Sequence, residues 1–294
     1  MPESTCTRRS ILRMGLSIAI AGFPRQVVTG GLFRGGEAEG RPLSLLVIQL
    51  RGGNDALNTV VPTKAPWYRE FRGELALSDP ESLLPLDGRF RLNSSLSSIA
   101  RRFRAGQVAI FLGTGIPGQT KSHTLASEKI GAEILRGVQS GTSKSAITRI
   151  ELEGFDTHCR QRPEHDRLLR ELDRLVEREH SRWDQGDRDQ GDQRSRRRLV
   201  TLVYSEFGRS VTSNNEEGTD HGIGGCAFLI GDSVRGGIYG DYRLLDNGSL
   251  DNGLLDNGLL DNGSPADTAK DLDICFDLRD IARALCAENN CLTC

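Results

Sequence analysis

Aromatic side chains are scarce, at 5% of 294 positions. So few rings argue against a surface that stacks on unpaired bases. The chain has no excess of either charge: 38 Lys+Arg against 40 Asp+Glu leave a formal net charge of -2. A chain so nearly balanced has no electrostatic reason to take nucleic acid as a partner. Long hydrophobic runs are lacking too. The apolar stretch ending at Phe23 is too short to anchor the chain in a bilayer, and no integral membrane span is expected in the mature chain.

What is present begins with an address. Arg8 and Arg9, then Ser10, Ile11, Leu12 and a weakly apolar run, resemble a twin-arginine (Tat) export signal over residues 1–30. This reading implies the Tat translocase as a partner during export and a periplasmic or secreted mature protein. Residues 41–294 are long enough for a single large domain. Two insertions of low complexity interrupt it, at 184–198 and 245–264. The first, DQGDRDQGDQRSRRR, has no apolar periodicity and reads as a solvated loop. The second repeats LDNG with a period that matches no established calcium repeat, so it reads as a replicated insertion. Of seven cysteines, Cys6 would leave with the signal. The closing C-x4-C-x2-C lacks a second pair of its own, and reads as a disulfide or free thiols in an oxidising compartment rather than a zinc knuckle.

Short continuous apolar runs recur at 43–50, 107–113, 147–154, 199–207 and 226–231. Runs of this kind suit strands buried on both faces. Helical patterns alternate with them, in SSLSSIARRFRAG and in the long PEHDRLLRELDRLVEREHSRW, whose leucines recur every three or four residues. His165 and His180 on that long polar helix are expected to face solvent. The alternation predicts an α/β fold: a doubly wound, mostly parallel sheet flanked by helices, with ligands gathered at the carboxyl ends of strands.

The chemistry-bearing residues cluster just after those runs. RGGND ends in Asp55, GTGIPGQTKSH carries Thr120, Ser122 and His123, GFDTH carries Asp156 and His158, and SEFGR carries Glu206 and Arg209. Asp220 and His221 follow in EGTDHGIGG, a stretch that glycine makes either a surface turn or a place where backbone approaches a metal or an anion. Carboxylates with neutral imidazoles suit Zn, Mn or Fe, and a carboxylate-dominated set suits Mg or Ca. Asp156 and His158, two apart, face the same way in an extended segment. Ser122 is placed to cap a following helix, either as a plain cap or as a nucleophile at an anion-favouring dipole. Asp55 is open between an Asx turn and a metal carboxylate, and Arg209 between neutralising an oxyanion and pairing with Glu206.

Taken in order, the twin-arginine start, RGGNDALNTVVP, LLPLDGRF, KSH, GFDTH, SEFGR, GTDHG and DLRDIARAL resemble the exported bacterial family catalogued as domain of unknown function 1501. That family is placed beside the alkaline phosphatase and sulfatase superfamily. The resemblance implies an alkaline-phosphatase-like fold and a metal-dependent hydrolase of phosphate or sulfate esters. It gives Asp55 as an early metal carboxylate, Asp156 and His158 as a middle pair and His221 as a late histidine. Ser122 or Thr120 would be the nucleophile, and His123 a further candidate ligand. Glu206 stands where the superfamily has an aspartate and Phe207 where it has a histidine, so one ligand is missing or Asp220 supplies it. Asn93 replaces a usual histidine, and the segment between KSH and GFDTH is short. The alternative is a non-catalytic periplasmic or cell-surface binding protein that retains the fold, or a degenerate family copy.

Overall fold

Leu43–Leu50 has no polar face, and the fold gives it none to expose. Side chains alternate across a strand, so Leu46, Ile48 and Leu50 enter one core while Leu45 and Val47 enter another on the opposite face. A sheet with helices on both sides follows. A computed structural model describes residues 31–34, 43–118, 132, 146–189, 198–245 and 271–287. Thr120, Ser122, His123, the twin-arginine segment 1–30 and almost all of the 245–264 insertion lie outside the described residues.

In chain order the elements are β1 (Leu43–Leu50), α1 (Ala56–Thr59), β2 (Val60–Val61), α2 (Pro66–Arg72), β3 (Leu84–Pro85), β4 (Arg91–Leu92), α3 (Ser97–Arg104) and β5 (Val108–Gly115). They continue with β6 (Ala146–Leu152), α4 (Gln161–Asp189), β7 (Arg198–Ser205), β8 (Gly208–Ser213), β9 (Thr219–Gly222), β10 (Gly225–Ile230), β11 (Gly237–Tyr239), β12 (Phe276–Asp277) and α5 (Leu278–Ala287). The main sheet is seven-stranded, ordered β11-β5-β10-β7-β1-β6 with β12 added on β5. All of its pairings are parallel except those of β10, which runs against β5 and β7. This is the mostly parallel α/β sheet that the apolar runs predict.

Direction decides where chemistry gathers. The exits of β1, β6 and β7 share one edge, and the antiparallel β10 begins at that edge rather than ending there. Loops 51–55, 153–160 and 206–207 and the β8–β9 hairpin therefore meet along one rim, as an open α/β sheet arranges its ligand crevice.

Helix α4 covers the face bearing Ile48 and Leu50, burying Leu168, Leu169, Leu172, Leu175 and Val176 along one stripe. Each such side chain contributes roughly 1.5–3 kcal/mol on leaving water. Helix α3 lacks a cap of its own, and Asp173 of α4 accepts from the backbone N–H groups of Ser98 and Ile99 instead. Helix α5 serves the other face through Leu278, Ile281 and Leu285.

Two expectations about α4 are corrected. His165 and His180 are buried, at 2% and 4% exposure, because both lie on the sheet-facing side of the helix. The Nε2 of His165 lies 3.0 Å from Asn54 Oδ1, and that of His180 lies 3.0 Å from Thr201 Oγ1. The helix also runs on to Asp189, so residues 184–189 are helical rather than the start of a solvated loop. Once a long helix is nucleated, each further residue adds a hydrogen bond at little cost.

Candidate metal centre

Phe155 and Thr157 are buried while Asp156 and His158 are at least partly exposed, so the loop after β6 presents its acid and imidazole on the same side. Gly52, at φ +112, lets the loop after β1 lie against this segment, and a Cβ there would run into the backbone of Asp156. The third contributor comes from the β8–β9 hairpin, whose register sets Arg209 directly opposite His221. EGTDHGIGG is thus neither a plain turn nor a loop: Thr219–Gly222 is a strand. Its glycine at 218 admits the carbonyl of His158, which a Cβ would strike.

These pieces bring three ligand-type atoms together. Asp156 Oδ1 lies 3.0 Å from His158 Nε2 and 3.1 Å from His221 Nε2, and the two Nε2 atoms are 3.1 Å apart. Two imidazoles and a carboxylate are a donor set that Zn, Mn and Fe accept. Ligands at about 2.1 Å from an ion stand about 3.0 Å apart in neighbouring octahedral positions and about 3.4 Å apart in tetrahedral ones. The triangle fits the former, with the remaining positions free for other ligands. Asp156 and His158 are each 43% exposed, so the triangle opens to solvent.

Arg209 holds the triangle from below. Its side chain is 0% exposed. Its Nε donates to Gly53 O, Nη1 to Thr219 O, and Nη2 to both Phe155 O and Asp156 Oδ1, while Nη1 also stands 3.4 Å from His158 Nε2. Every N–H of the guanidinium is thereby directed at protein. Burial pulls the pKa of Arg209 down and Asp156 works in the other direction. The residue ties two loops and β9 together; it neither pairs with Glu206 nor offers a donor to an oxyanion.

Asp55 is likewise not at the triangle. It caps α1 through the N–H groups of Leu57 and Asn58, and both its oxygens accept from Arg72, at 2.6 and 2.7 Å, with neither side chain exposed. Burial opposes its ionisation, but the Arg72 guanidinium prevails and holds the carboxyl below its ordinary pKa. Gln161 bridges outward from there, its amide donating to Asp55 Oδ2 and its oxygen accepting from Thr219 Oγ1. Asp55 therefore supports β9 from behind instead of holding an ion.

Glu206 is also spent on structure. It is buried, accepts from Gly52 N at 2.8 Å, and lies 3.4 Å from the Gln49 amide nitrogen. Asp220 does not join the triangle either; its Oδ1 lies 3.4 Å from Nδ1 of His158, the nitrogen turned away from it. Phe207 packs against His221, with ring centroids 4.7 Å apart and planes tilted by 38°. Asn93 is buried and donates to Asn58 O and Asp166 Oδ1. The described free cysteines are Cys159, exposed, and Cys226 and Cys275, both buried.

Sequence reasoning missed Arg72, Gln161 and Thr219, which connect Asp55 to the hairpin. Thr219 stands inside GTDHG, but no local spacing marks Arg72 or Gln161 as partners of Asp55.

Residues 118–253 match a family model described as a protein of unknown function, DUF1501. The DUF1501 span contains Asp156, His158, Arg209 and His221, so the whole triangle lies within it, whereas Asp55 and Arg72 precede it. The match supports the resemblance carried by GFDTH, SEFGR and GTDHG. No curated protein and no solved structure matches the chain. Among the described residues, no helix is long and apolar enough to cross a membrane.

Proposed function

We propose that Asp156, His158 and His221 bind a single divalent cation, and that the protein is an exported, metal-dependent hydrolase acting on phosphate or sulfate esters. The observation that carries this reading is the triangle of one carboxylate oxygen and two Nε2 atoms at 3.0–3.1 Å on the rim formed by the strand exits, where open α/β sheets gather ligands. One cation is favoured over two because Asp55 and Glu206 are committed to Arg72 and to the loop after β1.

When bound, such a cation supplies Lewis-acid polarisation of an ester oxygen. The chain's own part is to orient. Arg209 fixes the donor oxygen of Asp156, Phe207 packs against the His221 ring, and the exposed side of Asp156 and His158 admits a small anionic ester. The nucleophile in this reading is Ser122 or Thr120, which follow β5 in the sequence and lie outside the described residues.

Elemental analysis of the purified full chain after incubation with Zn, Mn, Mg or Ca, followed by assay on aryl phosphates and sulfates, tests the proposal. One equivalent of metal with ester cleavage is expected, and Asp156→Ala with His158→Ala should remove both. An unmetallated wild-type chain overturns it. The second reading, a non-catalytic binding protein, draws support from Arg209, whose donors are all turned inward. Metal uptake without turnover favours that alternative.

A further inference from the structure

We infer that Asp220 is a positioning residue that holds the His158 ring in the tautomer a cation requires; the inference rests on the reading of the triangle as a cation site. A neutral imidazole carries one proton, and only the nitrogen without it offers a lone pair. The two nitrogens of His158 have opposite surroundings. Nδ1 lies 3.4 Å from Asp220 Oδ1, a carboxylate oxygen that accepts and does not donate when ionised. Nε2 lies at the triangle, and Arg209 Nη1, a donor only, stands 3.4 Å from it. An acceptor on one side and a donor on the other both favour the proton on Nδ1 and the lone pair on Nε2.

Asp156 Oδ1, at 3.0 Å from Nε2, pulls the other way. That oxygen has a second imidazole beside it, His221 Nε2 at 3.1 Å, and accepts from Arg209 Nη2 at 2.9 Å, so it does not depend on a proton from His158. The strand geometry explains why Asp220 orients rather than ligates. Successive residues of β9 point to opposite faces, so Asp220 and His221 cannot converge on one ion, and the His158 ring reaches both, one through each nitrogen. An imidazole ligand backed by a carboxylate on its other nitrogen is the outer layer that commonly sharpens a metal site.

The test uses the full chain with its histidines labelled in nitrogen-15. Ring-nitrogen shifts report the tautomer of His158, and competition with a chelating indicator reports the affinity for Zn and Mn. Asp220→Ala should weaken binding by roughly 10- to 100-fold and move the His158 proton off Nδ1, with an unchanged melting temperature. Asp220→Asn, which keeps an acceptor oxygen, should retain most of both properties. The inference is overturned if Asp220→Ala binds the cation as tightly as wild type, or if its His158 spectrum is that of wild type. Should the wild type itself take up no cation, the triangle reading fails, and the spectra of the metal-free chains still decide whether Asp220 sets the tautomer.

Discussion

The Nε2 atoms of His158 and His221 stand 3.1 Å apart although 63 residues separate them in the chain. Two nitrogens that close, beside a shared carboxylate oxygen, need a proton or a cation between them. A cation bound only by the folded state adds stability by mass action, about 2.7 kcal/mol at a hundred times its dissociation constant. Melting curves recorded with Zn or Mn should therefore rise with metal concentration in wild type and stay flat in His221→Ala. A flat wild-type curve at millimolar metal would contradict the site.

Arg209 offers a sharper structural test. Lysine keeps the charge but cannot reach Gly53 O, Thr219 O and Phe155 O together, since it lacks the planar fork. Arg209→Lys should cost on the order of 3 kcal/mol in urea unfolding and loosen the Asp156 oxygen enough to weaken metal binding as well. A cost below about 0.5 kcal/mol would show that the clamp is dispensable.

The Asp55–Arg72 pair makes a different prediction. Removing one partner of a fully buried pair leaves the other charge without compensation, at about 3–5 kcal/mol. Arg72→Met alone should be severely destabilising, and adding Asp55→Asn should recover part of the loss. Additive losses in this double-mutant cycle would mean that the two side chains do not interact.

His180 predicts acid sensitivity of a definite sign. Burial against β7, reinforced by nearby Arg102, pushes its imidazole down to about 3 from an ordinary value near 6.5. The unfolded chain binds the proton more readily, so the stability this neutral ring contributes is intact above about pH 6.5 and lost as pH falls toward 3. At pH 4 the loss is about 3 kcal/mol. His180→Gln should flatten the unfolding free energy between pH 6.5 and 4 relative to wild type, whatever its stability at neutral pH. An equally steep acid limb in the variant would refute the assignment.

Much of this arrangement is legible in the sequence. The continuous apolar runs announce strands covered on both faces, and Leu43–Leu50 behaves as such a run must. The two-residue step from Asp156 to His158 places both on one side of their loop, as the spacing predicts for an extended segment. The polar appearance of α4 misleads about His165 and His180. A ring that finds a buried hydrogen-bond partner, here Asn54 or Thr201, no longer needs solvent, and that partner is invisible along the helix itself.

The sequence by itself determined the class of fold, the rim of the sheet where carboxylates and imidazoles gather, and the local pair Asp156–His158. Only tertiary structure decided which of those groups face one another. Asp55, Glu206, Asp220 and Asp156 are all acids near the same rim, and they differ in what the rest of the chain brings to them. Asp55 receives Arg72 from α2, Glu206 receives the N–H of Gly52, Asp220 turns to the back of His158, and Asp156 alone meets both imidazole nitrogens. The physical reason is that a carboxylate's role is set by the donors that reach it. Those donors come from segments distant in sequence that only the tertiary fold brings into contact.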